Sequence, residues 1–160
     1  KHCGFFMIKL SRLTDYAILV LTIMAAEQGK LMSVSTLSDK TSLPEPTLAK
    51  ILKRLAKADL IISSRGAKGG YVFERNVKTL SLLHIITVMD GPQILTSCKE
   101  DGKSMCVLDN ECALKGRWTP VTKALHDALQ GFSLADMMPV PERSAIVILP
   151  FVILNCARPL

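Results

Sequence analysis

The stretch LPEPTLAKILKRLAKADLIISSRGAKGGYVF, residues 43–73, decides the fold of this chain. It opens on a tight turn, and Pro46 suits the first position of a helix, where its missing backbone N–H costs nothing. Apolar residues then recur at helical spacing to about Ala58 and predict a buried stripe: Leu48, Ile51, Leu52 and Leu55. Polar and basic residues fall largely on the opposite side: Thr47, Lys50, Lys53, Arg54 and Lys57.

The second half of this stretch predicts a β-hairpin. Residues 60–64 and 71–73 are strand-like, and the intervening turn RGAKGG, residues 65–70, is too rich in glycine for regular structure. Such a hairpin is a wing with Arg65 and Lys68 near its tip, suited to a DNA minor groove or its phosphates. The glycines could alternatively form a phosphate-binding nucleotide loop. That alternative is excluded because the loop leads into a strand and lacks the Gly-Lys-Ser/Thr ending.

Two helices are predicted upstream of this stretch. The first is capped by Thr14 or Asp15, and the second runs over about residues 34–41 with Ser33 as its N-cap. A helix, a tight turn and a helix with a basic outer face form the geometry that places a recognition helix in the major groove. We expect Thr47 and Lys50 at base edges and the other cations on phosphates. The full set of expected DNA-binding residues is Glu45, Pro46, Thr47, Lys50, Lys53, Arg54, Arg65 and Lys68.

Downstream of the wing, two longer helices are predicted. One begins at Thr79 or Ser81 and is ended by Asp90-Gly91-Pro92; the other covers about residues 112–129. The second helix carries an apolar stripe: Leu114, Trp118, Val121, Leu125 and Leu129. Little of the chain is left to bury this stripe, so we expect a partner subunit to cover it. The predicted fold class is mainly α, a winged helix-turn-helix with a two-stranded wing and a long C-terminal dimerisation helix.

These elements define the expected domain organisation. Residues 1–6 are interpreted as an extension, 7–90 as the winged helix-turn-helix DNA-binding domain and 91–111 as a cluster-binding cysteine loop. Residues 112–138 form the dimerisation helix, and 139–160 are a tail to which no role is given. An apolar run in this tail is too short to span a bilayer, which needs about 20 residues.

Charge and cysteine usage narrow the function. The net charge is +6, and six basic residues between Lys50 and Lys68 face one acid, Asp59. A basic balance favours a polyanionic partner without choosing nucleic acid over a membrane surface, and a charge run alone is most often a solvated helix face. The chain has five cysteines and no visible secretory signal. We therefore expect a cytoplasmic, reducing location, where clustered cysteines are more often ligands or redox groups than disulfides.

Cys98, Cys106 and Cys112 form the candidate metal centre. Seven residues separate the first two and five separate the last two, and the intervening sequence is loop-like. Three thiolates on a loop can converge on one iron–sulfur cluster or one zinc ion, and the fourth ligand must then come from elsewhere. Alternatively, the three pack as small apolar side chains, although a polar loop offers them little core to join.

Four features resemble one family when taken in order. They are Leu13-Thr14-Asp15-Tyr16-Ala17 before the helix-turn-helix, the wing RGAKGGY, the Asp90-Gly91-Pro92 stop and the three following cysteines. Together they resemble the bacterial winged-helix iron–sulfur regulators of the IscR and NsrR type, above all the subgroup that controls SUF-type iron–sulfur cluster assembly. The resemblance covers residues 7–138. It implies a homodimeric regulator that binds operator DNA and represses cluster-assembly genes, and not an enzyme.

The same resemblance implies that Cys98, Cys106 and Cys112 bind a [2Fe–2S] or [4Fe–4S] cluster. IscR-type members have five residues between the first two cysteines and a histidine three residues after the third; this chain has seven, and Lys115 at that position. NsrR-type members use an aspartate from the first helix of the partner subunit, and Asp15 occupies that position. We therefore expect Asp15 of the partner to complete the site. Its alternative role is to cap the first helix.

Other functions draw on the same residues. A nitric-oxide- or iron-responsive regulator would keep both the fold and the cysteines. A zinc- or thiol-based redox regulator would need no cluster. An enzyme or electron-transfer protein with an open three-cysteine cluster is disfavoured, because no histidine is paired with a nucleophile in the sequence and no nucleotide motif is present.

Overall fold

The computed structural model describes residues 10–66, 69–92, 112–114 and 116–139. These residues form six helices and two strands. In chain order they are α1 (Arg12–Ala26), α2 (Val34–Thr41), α3 (Glu45–Lys57), β1 (Ile62–Ser64), β2 (Gly70–Val72), α4 (Leu82–Asp90), α5 (Thr119–Gln130) and α6 (Leu134–Met137). The prediction of a mainly helical chain with a two-stranded wing is confirmed.

Serine caps set the start of α1, α2 and α4. The hydroxyls of Ser11, Ser33 and Ser81 accept the backbone N–H three residues ahead, at 3.2, 3.1 and 3.3 Å. Each bond satisfies an amide that the first helical turn leaves without a partner. The expectation that Thr14 or Asp15 caps α1 is wrong, because the helix begins earlier. Thr14 provides the capped N–H, and Asp15 lies in the first turn.

The core forms around α1, which packs against α2, α3, α4 and α6. The predicted stripe of α3 is confirmed, since all four of its side chains are fully buried: Leu48, Ile51, Leu52 and Leu55. Among the described residues, Phe73 is the largest fully buried side chain. Burial of an aliphatic or aromatic side chain of this size contributes about 1.5–3 kcal/mol, so α3 is held by its apolar face while its outer face stays free.

The wing is an antiparallel pair in which Ile62, Ser63 and Ser64 face Val72, Tyr71 and Gly70. The predicted strands 60–64 and 71–73 are shifted, because Leu60, Ile61 and Phe73 turn into the core instead of extending the hairpin. Met32 joins the outer side of β2 through two backbone hydrogen bonds with Tyr71. Only glycine fits at position 70, since a Cβ there would lie 2.5 Å from the Met32 carbonyl oxygen.

The C-terminal helix is shorter than predicted. A helix from residue 112 would place Pro120 in its interior, where the ring clashes with the carbonyl of residue 116 and removes a hydrogen bond. Instead, Gly116 has φ +73°, and α5 starts at Thr119 with Pro120 in its first turn. The described residues between Cys112 and Trp118 lie in turns or irregular structure.

The end of α5 returns to the start of α4. Leu82 N–H donates to the Phe132 carbonyl at 2.9 Å, and Leu134 N–H donates to the Leu80 carbonyl at 2.8 Å. The Ser81 hydroxyl also donates to Gln130 Oε1 at 3.2 Å. These bonds fasten the C-terminal helices to the winged-helix core at one end of α4, and the cysteine loop leaves from its other end.

Candidate nucleic-acid interface

The turn between α2 and α3 fixes how the third helix projects. Ser42 has φ +57°, the Ser38 hydroxyl donates to the Leu43 carbonyl at 2.7 Å, and Leu43 N–H donates to Thr41 Oγ1 at 3.2 Å. Side-chain bonds to the backbone of this kind hold a turn that has no regular ladder. The predicted helix, turn and helix are thus present, with α3 in the recognition position.

A charge cluster attaches α2 to the end of α1. Glu27 forms ion pairs with Lys30 and with Lys40 of α2. Hydrogen bonds from Lys30 and Lys40 lower the pKa of Glu27 from 4.5 to about 2. The cluster is solvent-exposed, so it orients α2 more than it stabilises the fold.

The outer face of α3 carries most of the expected DNA-binding residues. Glu45, Pro46 and Lys50 are exposed toward its N-terminal half, and Lys53 and Arg54 toward its C-terminal half. Thr47, also expected there, is partly buried. Lys50, Lys53 and Lys57 have no ion-pair partner among the described residues, which leaves their ammonium groups available to a polyanion.

Arg54 differs from these lysines. Its Nη1 donates to the Met89 carbonyl at 2.7 Å, at the end of α4. A cation at the carbonyl end of a helix is favourable, because it meets the negative end of the helix dipole. Sequence reasoning placed Arg54 on a phosphate; the structure shows that at least one of its donors holds α3 to α4.

The wing brings a further cation beside this helix-turn-helix. Arg65 follows β1 directly and is exposed. Lys68, the second cation expected at the tip, lies outside the described residues. The described cations of the expected interface are therefore Lys50, Lys53 and Arg54 of α3 and Arg65 of the wing, and they come from two separate elements.

The candidate metal centre is described only in part. Cys112 is partly buried with a free thiol, whereas Cys98, Cys106 and Lys115 lie outside the described residues. Asp15 is exposed on the first turn of α1, and no described residue donates a hydrogen bond to its carboxylate. Within the part of the chain that the structure describes, no three His, Cys, Asp or Glu side chains gather at one point.

Sequence reasoning missed the role of Asp90, which it took only as part of a helix stop. The Asp90 carboxylate accepts the Ser11 hydroxyl at 2.6 Å and Ser11 N–H at 3.1 Å. Partial burial opposes its ionisation, but hydrogen bonds from Ser11 and Thr14 and the charge of Arg54 outweigh burial and lower the pKa of Asp90. The signal was in the sequence: a carboxylate at the C-terminal end of a helix opposes the dipole unless a donor meets it.

The apolar stripe of the C-terminal region is partly exposed in the described part of the chain. Leu114, Trp118 and Val121 are 55%, 41% and 47% exposed, and Leu125 and Leu129 are partly buried. No residue of α5 is buried. In the described ranges no helix is both long enough and apolar enough to cross a lipid bilayer.

The chain is similar to known proteins over most of its length. The profile of a family described as "Rrf2: Iron-dependent Transcriptional regulator" matches residues 10–139. The HTH-type transcriptional regulator NsrR of Bacillus subtilis is 24% identical over 131 residues, which cover 81% of this chain and 90% of that protein.

Two solved structures are also similar. The T. potens IscR structure has a TM-score of 0.60 and 28% sequence identity, with 84% of this chain and 88% of that chain covered. The structure of CymR (YrzC), the global cysteine regulator of B. subtilis, has a TM-score of 0.62 and 26% identity, with 82% and 96% covered. These similarities confirm the winged-helix architecture and the resemblance to IscR- and NsrR-type regulators. The SUF-type subgroup stays a prediction.

Proposed function

The chain belongs to the Rrf2 family of iron-dependent transcriptional regulators, and from that premise we propose that it is a homodimeric repressor whose operator affinity depends on an iron–sulfur cluster. The family consists of transcriptional regulators and not of enzymes, as the sequence predicted. The observation that carries the DNA-binding part is the outer face of α3, where exposed lysines without ion-pair partners among the described residues stand on a helix whose opposite stripe is fully buried.

In this proposal α3 enters the major groove with its N-terminal half toward the bases. Glu45, Pro46, Thr47 and Lys50 lie there and face base edges. Lys53 and Arg54, further along the helix, bind phosphates, Arg54 with the donors that Met89 does not use. Arg65 and Lys68 of the wing bind phosphates or the adjacent minor groove.

The homodimer rests on the uncovered stripe. Trp118, Val121 and the neighbouring leucines present an apolar face at helical spacing, and a second copy of the same face is complementary to it in a two-fold arrangement. Pairing through α5 would set the separation of the two recognition helices. This separation would be about 34–36 Å if the two half-sites lie one turn apart on the duplex.

The cluster rests on the chemistry of the donor set. Thiolates are the ligands that iron–sulfur clusters require, and Cys112 is a free, partly exposed thiol at the end of the cysteine loop. Cys98, Cys106 and Cys112 provide three ligands, and Asp15 of the partner subunit, exposed and without a hydrogen-bond donor among the described residues, provides the fourth. A bound cluster supplies an element that iron supply, oxidation or another signal can remove. The regulated genes, following the IscR- and NsrR-type resemblance, are those of SUF-type cluster assembly.

A second candidate keeps the fold and dispenses with the cluster. CymR is the global cysteine regulator of B. subtilis, and this chain is as similar to CymR as to IscR. A thiol- or zinc-based regulator would use the same cysteines. A nitric-oxide- or iron-responsive regulator would use the same cluster with a different signal.

Anaerobic purification separates these candidates. We expect a brown protein with iron and sulfide, colourless in Cys106→Ala but still brown in the control Cys156→Ala, which changes a cysteine without an assigned role. The absorbance spectrum distinguishes [2Fe–2S] from [4Fe–4S]. A colourless parent with bound zinc would support the second candidate. A colourless, zinc-free parent that still binds DNA would remove the metal sensor and leave the winged-helix regulator.

The DNA-binding half has its own experiment. The protein, loaded or as purified, is used to select duplexes from a random-sequence library, and the selected duplex then serves as the operator in binding measurements.

The fourth ligand is tested with Asp15→Ala, whose cluster spectrum and cluster lifetime are measured beside those of the parent. A variant that keeps the full cluster spectrum and cluster lifetime would remove Asp15 from the ligand set.

A further inference from the structure

Three helices meet at the start of the cysteine loop. Asp90 ends α4, and its carboxylate accepts both the backbone N–H and the hydroxyl of Ser11, the cap of α1. The Arg54 side chain of α3 donates to the carbonyl of Met89, the neighbouring residue. Two adjacent residues at the end of α4, Met89 and Asp90, thus bond to α3 and to the cap of α1 respectively.

The bonds at this point form a connected network. The Ser11 hydroxyl donates its one proton to Asp90, and the Thr14 hydroxyl lies 3.1 Å from the same Ser11 oxygen. The Ser11 oxygen also accepts Thr14 N–H at 3.2 Å. Thr14 is fully buried. Asp90 is therefore attached to the first turn of α1 by bonds that constrain both partners.

The order of residues along the chain gives this junction its significance. Asp90 is followed directly by Gly91 and Pro92 and then by the cysteine loop. Thr14 is followed directly by Asp15. The chain therefore enters the cysteine segment directly after Asp90. The first turn of α1, which carries Asp15, is bonded to Asp90 through its cap Ser11, and Arg54 adds a bond from α3 to the neighbouring Met89.

We propose that Asp90 is a positioning residue that couples the cysteine loop to the recognition helix, by tying the start of the loop to the first turn of α1 and, beside Arg54, to α3. The inference rests on the proposed cluster-dependent function and names the contact that transmits it. A change in the cysteine loop or at Asp15 alters the position of Asp90 or Ser11, and the shared bonds carry that change to α3. In this proposal Asp90 is neither a cluster ligand nor a DNA-binding residue.

The chain contains a matched control for this role. Asp136 accepts Ser133 N–H at 2.8 Å and the Ser133 hydroxyl at 2.7 Å, and these bonds lower its pKa. It is an aspartate held by one serine, as Asp90 is, but both partners belong to the cap of α6. Among the described residues, Asp136→Asn therefore removes a similar carboxylate without removing a side-chain bond to α1 or α3.

The test compares the operator dissociation constant of the cluster-loaded protein with that of the cluster-free protein, using a duplex selected by the loaded protein from a random library. We expect the ratio of the cluster-free to the cluster-loaded dissociation constant to fall about threefold or more in Asp90→Asn. It should be unchanged in Asp136→Asn. Ser11→Gly provides a second variant, because glycine is tolerated at an N-cap while the hydroxyl bond to Asp90 is lost. Asp90→Glu, which keeps the carboxylate, should recover part of the ratio.

A merely structural role predicts a different pattern. It would lower the affinities of both states equally and leave their ratio at the parent value. Parental ratios in both Asp90→Asn and Ser11→Gly would therefore overturn the coupling while the cluster-dependent function stands. A parent whose two states bind the duplex equally well would instead remove the cluster-dependent function, and the coupling with it.

Discussion

Helices α3 and α5 are similar in length and in the spacing of their apolar residues, but the apolar face of α3 is buried and that of α5 is partly exposed. α3 has 13 residues and α5 has 12, and each carries apolar side chains at intervals of three or four. All four stripe residues of α3 are fully buried against the same chain, whereas no residue of α5 is buried. The apolar face of α3 is therefore buried within the described chain, while α5 keeps an exposed apolar surface that the proposed homodimer would cover.

The largest expected effect comes from opening the α3 stripe. Leu52→Ala should lower the free energy of unfolding by about 2–5 kcal/mol, since it removes a fully buried side chain and leaves a cavity. Chemical denaturation followed by circular dichroism measures the loss. The control is Lys57→Ala, which lies exposed on the same helix and should change stability by about 0.5 kcal/mol or less. Equal effects of the two substitutions would contradict the assignment of Leu52 to the core.

The matching experiment on α5 tests the partner. Trp118→Ala should weaken the proposed homodimer about thirtyfold or more, because a truncated interfacial tryptophan commonly costs about 2 kcal/mol or more in association. Sedimentation equilibrium across a concentration range measures the dissociation constant. Lys123→Ala, on the same helix and ion-paired only with Asp127 among the described residues, is the control.

A different outcome on α5 would also be informative. If Trp118→Ala lowered the unfolding free energy of a monomer and left association unchanged, the stripe would be part of a single-chain core. The contrast between the two helices would then disappear.

The sequence predicted α3 better than α5, and the reason is local. In α3 the stripe, the basic outer face and the prolines at its start all indicate the same helix, and its two ends lie about one residue earlier than predicted. In α5 the apolar period continues back to Leu114, but Gly116 and Pro120 interrupt the helix that the period suggests. Periodicity alone does not show that a glycine or a proline ends the helix while the apolar spacing continues past it.

The candidate site was predictable to the extent that it is local. The serine cap of α2, the wing and the exposed face of α3 follow from short-range patterns. The bonds from Ser11 to Asp90 and from Arg54 to Met89 join residues 79 and 35 positions apart, and no local pattern specifies them. A carboxylate at the end of α4 signalled that some donor was needed, without saying which.

The face of α3 opposite the stripe provides the next test. Lys50→Ala should weaken binding to the selected duplex about five- to hundredfold if the ammonium group reads a base edge. Lys53→Ala should instead reduce the magnitude of the slope of log affinity against log salt by about one, because it removes the cation of one proposed phosphate contact. Fluorescence anisotropy at several salt concentrations measures both effects. Lys123→Ala on α5 again serves as the control, and a similar loss there would indicate a general charge effect and not a reading face.

The smallest expected effect concerns the charges that orient α2 beside α3. Glu27→Gln should destabilise the protein slightly at neutral pH, since it weakens the ion pairs with Lys30 and Lys40. Because folding lowers the pKa of Glu27 from 4.5 to about 2, this contribution is present above pH 4.5 and is lost as the pH falls toward 2. Melting temperatures of parent and variant should therefore differ at neutral pH, converge with increasing acid and converge again in about 1 M salt, where surface pairs are screened over about 3 Å.

The control for this charge effect is Glu74→Gln. Glu74 is an exposed glutamate without an ion pair among the described residues, so its substitution should show no such convergence. If Glu27→Gln also weakened operator binding as strongly as Lys50→Ala, surface charge and not the buried stripe would set the position of the recognition helix. The contrast between α3 and α5 would then need a different physical basis.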